Sequence, residues 1–491
     1  MKGKVWIPIT LILILVACAA PVVDTPAAQP TAAVQQDTHT DVAVHPQSET
    51  VNVVLPESSS IRPDEALLRA RFKEAKQQLI LVDPRTGKDL AAFPPLEIGR
   101  DFFHALSPDG RTLAVIVYSN DYRSHGTLKL VDLRAWQVGP EITRLVSWSE
   151  TMAFSADGAY LAVAAANAPQ GEFGRPQSYQ LAIVDVAGQA VVAQIEVAFR
   201  PRLMAFTADG ESLMTYGGGL ELLDDGRPQP AQVALLRAAD LSVIWQQELA
   251  GLFDGHYEQR PAEPSDVDIY IVGWTPAVTW SADGTRLYVV HADEDRLTTI
   301  DFTARTVQTV EVRPKLSWLE RLLALTADVV YAKVYNGANA QAVLSADGTR
   351  LFVVGGSYET TRYENEEWQY QETRLGLQVI EVATGVEVGR LATEATDIVA
   401  SADGAQLYLR GWEHDLPWTD VLDPSTLTVV TRVQGMRLVP AHLFGGQPIL
   451  LATGYYYPSG KTTLSVVDPS TFATISQWEM NVHGQVLSGS W

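Results

Sequence analysis

The amino-acid sequence predicts an all-β domain built from repeated four-stranded antiparallel sheets. Three observations predict it. A Ser/Thr-Pro/Ala-Asp-Gly turn occurs six times, an alternating apolar strand follows each copy at the same spacing, and a second hairpin pattern, Leu-x-Leu/Val-x-Asp, occurs eight times. Repetition at a fixed spacing indicates one repeated structural unit rather than several unrelated domains.

The repeated turn is expected to join the first two strands of each unit. Its six copies begin at Ser107, Ser155, Thr207, Ser281, Ser345 and Ser401. Glycine accepts the positive φ of such a turn, and the Asp side chain can hydrogen-bond the turn backbone. Since one hairpin turn explains all six aspartates, we interpret them as structural residues rather than as metal ligands.

Two hairpins per unit give a four-stranded sheet, which is the blade of a β-propeller. The second hairpin first occurs at Leu79 to Asp83, and the first hairpin occurs seven times if a degenerate copy around Gly445-Gly446 is included. We therefore predict eight blades, with seven as the alternative. Gly484 to Trp491 would complete the N-terminal blade beside Leu67 to Phe72, for which a short helix is the rival interpretation.

One stretch carries a family resemblance. Leu287 to His291, running into Leu297 to Asp301, resembles the YVTN pattern, and the chain resembles the WD40-like and YVTN-type β-propeller repeat lipoproteins of bacteria over most of residues 77 to 480. The resemblance implies the fold. It does not select a function, because that family includes enzymes, binding scaffolds and many uncharacterised proteins.

The N-terminus predicts a lipoprotein signal peptide over residues 1–17. Two lysines precede an apolar run from Val5 to Ala17 that is too short to span a bilayer. Leu15 to Cys18 resembles the lipobox of bacterial lipoproteins, in which the cysteine is acylated. Because Cys18 is the only cysteine, an intramolecular disulfide and a thiolate metal site are excluded.

The remaining chain divides into a tether and one domain. Residues 18–62 are rich in Ala, Pro and Thr and predict a lipid-anchored disordered tether, about 35 Å from end to end. Residues 63–491 form the single predicted propeller domain. The expected location is the extracytoplasmic cell envelope, with the membrane contacted through the N-terminal lipid.

Charge and motifs exclude several classes of function. The net charge of −22 becomes −24 without residues 1–17, which disfavours nucleic acid as a partner. The chain contains no G-x-S-x-G elbow, phosphate-binding glycine loop or His-Glu-x-x-His motif, and we expect no cofactor. His291, Asp293 and Asp295 are metal candidates, for which a solvated acidic loop is the alternative interpretation. Glu413-His414-Asp415 is similar.

Two segments are insertions that the repeated unit does not contain. Residues 250–273 predict a long acidic loop. Ser317 and Glu320 have capping-box spacing and predict a short helical insertion near 316–327. This helix would either pack on the propeller edge or dock a partner.

The connections between second and third strands contain most of the unusual residues. Nine aromatic residues from three consecutive blades are predicted to form one exposed surface: Tyr358, Tyr363, Trp368, Tyr370, Trp412, Trp418, Tyr455, Tyr456 and Tyr457. The alternative is that they pack the connections against one another. Carboxylates surround them at Glu359, Glu364, Glu366, Glu367, Glu413 and Asp415. This composition favours a neutral sugar, a cationic ligand or a basic partner over an anion.

These observations predict a membrane-tethered binding scaffold without catalytic activity, whose partner is a protein or a carbohydrate. The alternative is a propeller enzyme of the lactonase type. Its histidines and acids would converge on the central channel from different blades. The sequence leaves the oligomeric state open.

Overall fold

The computed structural model describes residues 66–486, apart from 74–75, 93–102, 119–125, 136, 146–148, 168–177, 221–228, 260–269, 293, 315–336, 365–366, 415, 444–446, 457–460 and 482–484. These residues form eight antiparallel blades in a ring. Eight blades are therefore confirmed and seven is wrong. The helical insertion near 316–327 and residues 1–62 lie outside the described residues. No helix in the described part is long and apolar enough to cross a membrane.

The strands follow the predicted repeats. In chain order, the strands of the first four blades are β1 (Leu67–Lys73), β2 (Lys76–Val82), β3 (Asp89–Ala92), β4 (Phe103–Leu106), β5 (Thr112–Tyr118), β6 (Gly126–Asp132), β7 (Gln137–Leu145), β8 (Ser149–Phe154), β9 (Tyr160–Asn167), β10 (Ser178–Asp185), β11 (Ala190–Val197), β12 (Phe199–Phe206), β13 (Ser212–Gly219), β14 (Gln232–Arg237) and β15 (Val243–Glu248).

The second half of the chain adds an insertion and four more blades. Its strands are β16 (Gly255–Gln259), β17 (Tyr270–Thr275), β18 (Ala277–Trp280), β19 (Arg286–Val290), β20 (Arg296–Asp301), β21 (Thr306–Glu311), β22 (Arg313–Pro314), β23 (Gly337–Leu344), β24 (Arg350–Glu364), β25 (Glu367–Glu381), β26 (Val386–Leu391), β27 (Asp397–Ala400), β28 (Leu407–Glu413), β29 (Leu416–Asp423), β30 (Thr428–Gln434), β31 (Arg437–His442), β32 (Pro448–Tyr456), β33 (Lys461–Val467), β34 (Thr474–Asn481) and β35 (Gln485–Val486).

Each blade runs from an inner first strand to an outer fourth strand. Blade 1 is β35, β1, β2 and β3, blades 2 to 4 are β4–β7, β8–β11 and β12–β15, and blades 5 to 8 are β18–β21, β23–β26, β27–β30 and β31–β34. First strands of neighbouring blades contact one another, as β4 with β8 and β23 with β27 do. The first strands therefore surround the axis of the ring.

Apolar layers between blades hold the ring together. Alternate residues of β13 point to opposite faces of blade 4: Leu213 packs with blade 3, whereas Met214 packs with blade 5. Fourth strands have one exposed side, and β11 alternates exposed and half-buried residues along its length. The period-2 pattern of the sequence thus places each apolar side chain between two sheets.

Strands from both ends of the chain close the ring. β35 pairs antiparallel with β1, with Val486 opposite Arg69 and Gln485 opposite Ala70. The predicted strand at Leu67 to Phe72 is confirmed and its helical alternative is wrong. Blade 8 also contacts blade 1 directly, because the hydroxyl of Ser476 donates a hydrogen bond of 2.5 Å to the carbonyl of Pro84.

The segment predicted as a long acidic loop contains a hairpin. β16 pairs with β17, and β17 adds in parallel to the axis side of β23, with Trp274 opposite Ala338. A second addition, β22, pairs in parallel with the outer strand β26. Blade 6 is therefore the centre of a seven-stranded sheet.

Candidate functional site

The ring has two unlike faces. First strands run towards the repeated Asp-Gly turns, and third strands run towards turns such as Asp83 to Gly87. We call this side the turn face. The connections between second and third strands lie on the opposite side, which we call the variable face because their lengths differ from blade to blade.

The turn face is formed by near-identical turns whose polar groups bond one another. Asp283 accepts hydrogen bonds from the Ser281 hydroxyl at 2.6 Å and from the backbone N–H and the hydroxyl of Thr285 at 3.1 and 2.9 Å. These bonds lower the pKa of Asp283 to about 2. All six turn glycines have positive φ, between 67° and 72°, so the predicted turn is confirmed.

The variable face carries one long projection. β24 and β25 each have 15 residues, whereas β28 of the next blade has 7. Eight further residues at about 3.4 Å each make these strands about 27 Å longer than β28. The residues predicted as a loop from Tyr358 to Tyr370 mostly belong to this hairpin, in which Tyr363 lies opposite Trp368 and Glu364 opposite Glu367.

The nine predicted aromatic residues fall into three groups. Six have a described backbone position near the ends of second and third strands: Tyr358, Tyr363, Trp368 and Tyr370 in the long hairpin, and Tyr455 and Tyr456 in β32. Tyr457 lies outside the described residues. The two blade 7 tryptophans differ: Trp412 is 47% exposed and Trp418 is 2% exposed. Trp418 is therefore not part of an exposed surface.

Strand register explains this correction. Trp412 lies opposite Pro417, and Gly411 lies opposite Trp418. Neighbouring residues of a strand point to opposite faces of the sheet, so the two tryptophans occupy different sides of blade 7. The indole of Trp418 covers Gly411, where an added methyl group would lie 2.3 Å from a ring carbon.

Each tryptophan belongs to a triad with arginine and aspartate. In the closed triad, Arg432 stacks on buried Trp418, with its guanidinium carbon 4.5 Å from the ring centre. The same guanidinium donates two hydrogen bonds to Asp420, at 2.6 and 2.7 Å. One cation thus meets one carboxylate in bidentate geometry, and the charges of the closed triad balance.

The open triad lies between blades 7 and 8 and is formed by Trp412, Arg437 and Asp397. The guanidinium carbon of Arg437 is 6.0 Å from the ring centre of Trp412, and its Nη2 is 2.5 Å from Oδ2 of Asp397. Arg410, directly opposite Asp397 in the sheet, forms a salt bridge to the same oxygen. Two cations therefore share one carboxylate.

The open triad is positioned by the backbone of blade 8. The hydroxyl of Thr419 donates to the carbonyl of Met436 and accepts from the N–H of Leu438, both at 3.0 Å. These bonds fix the chain on either side of Arg437. Nη1 of Arg410 donates to the carbonyl of Leu438 at 3.3 Å. The backbone position of Arg437 is thus set by contacts on both sides of it.

Solvent exposure increases from the floor of the open triad to its rim. The side chains of Asp397 and Arg410 are 11% and 12% exposed, and that of Arg437 is 32% exposed. Burial lowers the pKa of Arg410, with the charge of Arg437 acting in the same direction and Asp397 opposing both. The Nε of Arg410 is buried and has no hydrogen-bond partner among the described residues. The open triad therefore has more hydrogen-bond donors than acceptors.

No motif in the sequence singled out Asp397, Arg410 or Arg437. The alignment of the repeats nevertheless indicated the contact between Asp397 and Arg437. Asp397 is the first residue of β27, and Arg437 is the first residue of β31. Equivalent positions of adjacent blades therefore carry opposite charges, and first strands of adjacent blades contact each other.

The mouth of the channel on the variable face holds the β16–β17 hairpin. Arg202 anchors its base, because Nη1 lies 2.8 Å from Oδ2 of Asp254 and 3.1 Å from the carbonyl of Pro276. Gly218 permits this approach, since an added methyl group would meet the Asp254 carbonyl oxygen. Burial raises the pKa of Asp254, while Arg202, Tyr216 and Arg200 oppose that effect.

The metal candidates do not converge in the described structure. His291 is 5% exposed, and its Nε2 shares a hydrogen bond of 2.8 Å with the hydroxyl of Thr298 inside blade 5. Burial lowers the pKa of His291 to about 4. Asp293 lies outside the described residues, and Asp295 is exposed. Among the described residues, no three His, Cys, Asp or Glu side chains are grouped to hold a metal ion.

A cavity of about 540 Å³ opens on the turn face where blades 7, 8 and 1 meet. Its lining includes Arg85, Asp403, Tyr408, Leu443 and Ile449. Blade 1 has no turn between its first two strands, because these come from opposite ends of the chain. The row of repeated turns is therefore interrupted beside the cavity.

No family model and no curated protein matches the chain. Solved structures do resemble it. A dihydro-heme d1 dehydrogenase, NirN, gives a TM-score of 0.52 at 14% identity, covering 90% of this chain and 81% of that chain. The periplasmic gluconolactonase PpgL of Pseudomonas aeruginosa gives 0.40 at 15%, covering 76% and 96%. The Cps50 (Swd1) β-propeller domain from Myceliophteria thermophila gives 0.38 at 13%, covering 73% and 94%. At these identities the likeness concerns the fold alone.

Proposed function

We propose that this protein is a membrane-tethered binding scaffold of the cell envelope, which presents its variable face to a protein or carbohydrate partner. The observation that carries the proposal is the difference between the faces. The turn face repeats one internally bonded hairpin, whereas the variable face carries the long β24–β25 hairpin and the half-exposed indole of Trp412. Exposed aromatic residues on a rigid scaffold are typical of interaction sites.

The path of the chain supports this orientation. β1 begins at Leu67, opposite Val82, which directly precedes a turn of the turn face. A lipid anchor at Cys18 would therefore connect to the ring on its turn face. The variable face would then be free of the tether, so that a partner can reach it.

Binding to isolated envelopes tests the scaffold. The full chain should bind envelope polysaccharide or envelope protein, and a variant with Ser357 to Thr373 replaced by a two-residue turn should lose at least ten-fold in affinity at an unchanged melting temperature. The matched control replaces residues 414–415, which connect β28 to β29, by the same two-residue turn and leaves the length of that hairpin unchanged. Equal binding by the parent and by the variant with the shortened β24–β25 hairpin would exclude the variable face as the binding surface.

The anchor is tested separately. Cys18→Ser removes the thiol that acylation requires, so the protein should move from the membrane fraction to the soluble fraction or retain its signal peptide. Detergent-phase partitioning of the variant measures this. Partitioning equal to that of the parent would contradict anchoring through Cys18.

The enzyme alternative makes a distinct prediction. A lactonase-type site in the central channel would need an open mouth, and on the variable face β16 and β17 occupy part of that mouth beside β23. A variant without the hairpin between Gly255 and Thr275 should then turn over sugar lactones faster than the parent protein. Lactone hydrolysis by the parent protein would favour the enzyme over the scaffold.

A further inference from the structure

We propose that the open triad of Trp412, Arg437 and Asp397, together with Arg410, binds the carboxylate of an acidic sugar such as a uronate. This inference rests on the proposed scaffold function and assigns a ligand class to one part of the variable face. The carboxylate would pair with the solvent side of the Arg437 guanidinium. The sugar ring would lie on the exposed face of the Trp412 indole.

The comparison of the two triads carries the inference. Both combine tryptophan, arginine and aspartate within or beside blade 7. In the closed triad, Asp420 satisfies Arg432 with two short hydrogen bonds, and the indole of Trp418 is 2% exposed. A structural role explains all of these contacts.

In the open triad, the same three residue types are not fully satisfied by one another. A single oxygen of Asp397 meets both Arg410 and Arg437, so the three side chains carry one net positive charge. The indole of Trp412 is 47% exposed beside them. A partly buried excess cation attracts an anion more than a fully solvated one does, and the planar guanidinium is suited to bidentate carboxylate recognition.

The aromatic partner selects a sugar among carboxylates. An indole offers a broad apolar face with low loss of conformational freedom on binding. A pyranose presents a matching face of C–H groups, with its carboxylate at the ring edge. The acidic residues predicted around the variable face disfavour anions in general, which restricts binding to a ligand that uses both the cation and the indole.

The test is isothermal titration of the full soluble chain, Cys18→Ser, with a galacturonate tetramer. Its methyl ester serves as a neutral ligand of the same shape, and a glutamate tetramer serves as an anion without a sugar ring. We expect the galacturonate to bind at least ten-fold more tightly than either control. Higher salt should weaken its binding.

Variants of each triad test which of the two binds the galacturonate. Arg437→Gln leaves Asp397 with one arginine and should weaken galacturonate binding at least ten-fold, as should Trp412→Ala. The matched control is Arg432→Gln in the closed triad, which should change affinity less than two-fold. Thermal unfolding establishes that each variant is folded, and Trp412→Ala alters an exposed residue that the fold does not require.

Three outcomes would overturn the inference. Equal affinity for the galacturonate and the glutamate tetramer would show a general anion site, and unchanged affinity in Arg437→Gln and Trp412→Ala would place the sugar elsewhere. If the tetramer does not bind while envelope binding still requires the β24–β25 hairpin, the acidic-sugar site is wrong and the scaffold function stands.

Discussion

The nested turns of blades 6 and 7 allow one packing contact to be measured by itself. Gly404 and Gly284 occupy the same place in the repeated turn, with φ of 68° and 67°. A methyl group added at Gly284 would meet nothing within 4 Å, whereas one added at Gly404 would lie 2.9 Å from Cβ of Ala346. The substitutions Gly284→Ala and Gly404→Ala therefore share the backbone cost and differ in the clash.

The two costs can be estimated separately. Left-handed backbone costs a residue with a Cβ about 1–2 kcal/mol, and overpacking adds about 1–3 kcal/mol. Unfolding entropy of about 2.1 cal/mol/K per residue over about 400 residues gives about 0.85 kcal/mol per degree. Gly284→Ala should lower the melting temperature by about 1–2 °C and Gly404→Ala by about 2–6 °C.

The assay is calorimetry of the two single variants and of the double variant Gly404→Ala/Ala346→Gly. Removing the methyl group of Ala346 removes the clash, so the double variant should recover about 1–3 kcal/mol relative to the sum of the single effects. Equal melting temperatures for Gly284→Ala and Gly404→Ala, together with additive double-variant effects, would refute the nested packing of the turns.

Three further expectations follow from burial, pairing and ionisation. Trp418→Ala should lower the unfolding free energy by about 3–5 kcal/mol, and Trp412→Ala should lower it by less than about 1 kcal/mol. Denaturant titration measures both, and equal losses would contradict the assigned burial. Deleting Gly484 to Trp491 should lower the melting temperature of a single transition, and an unchanged transition would mean that β35 does not close the ring. His291 has a pKa of about 4 in the folded protein against 6.5 as its ordinary value. Its stabilising contribution is therefore complete above pH 6.5 and is lost as the pH falls towards 4, and His291→Gln should reduce that dependence in melting curves.

The blade architecture could be predicted because each repeat carries its own local turn chemistry. Gly284 and its five equivalents have the positive φ that the Asp-Gly pattern required, and the unequal count of the two hairpins pointed to closure by both chain ends. The hairpin of β16 and β17 could not be predicted. Its partner, β23, begins 62 positions after the end of β17, and no local pattern records such a pairing.

The binding face was predicted less completely than the fold. Trp412 and Trp418 are equivalent as aromatic residues near a hairpin, and only the register of β28 with β29 assigns them to opposite faces. The pairing of Asp397 with Arg437 joins residues of different blades. Charge contacts between blades depend on the angle at which the sheets meet, which a single blade does not determine.

The addition of β17 to β23 has a consequence for amide exchange with solvent. In the other seven blades, the axis-side edge of the first strand has no neighbouring strand among the described residues, so its outward N–H groups face the channel without a strand to cover them. In blade 6 the residues from Gly337 to Asn339 are covered on that edge. Slow deuterium uptake confined to this one segment of the inner rim would mark where β17 covers the first strand. Loss of this protection on adding a ligand or partner would report movement of the β16–β17 hairpin without any label on the protein.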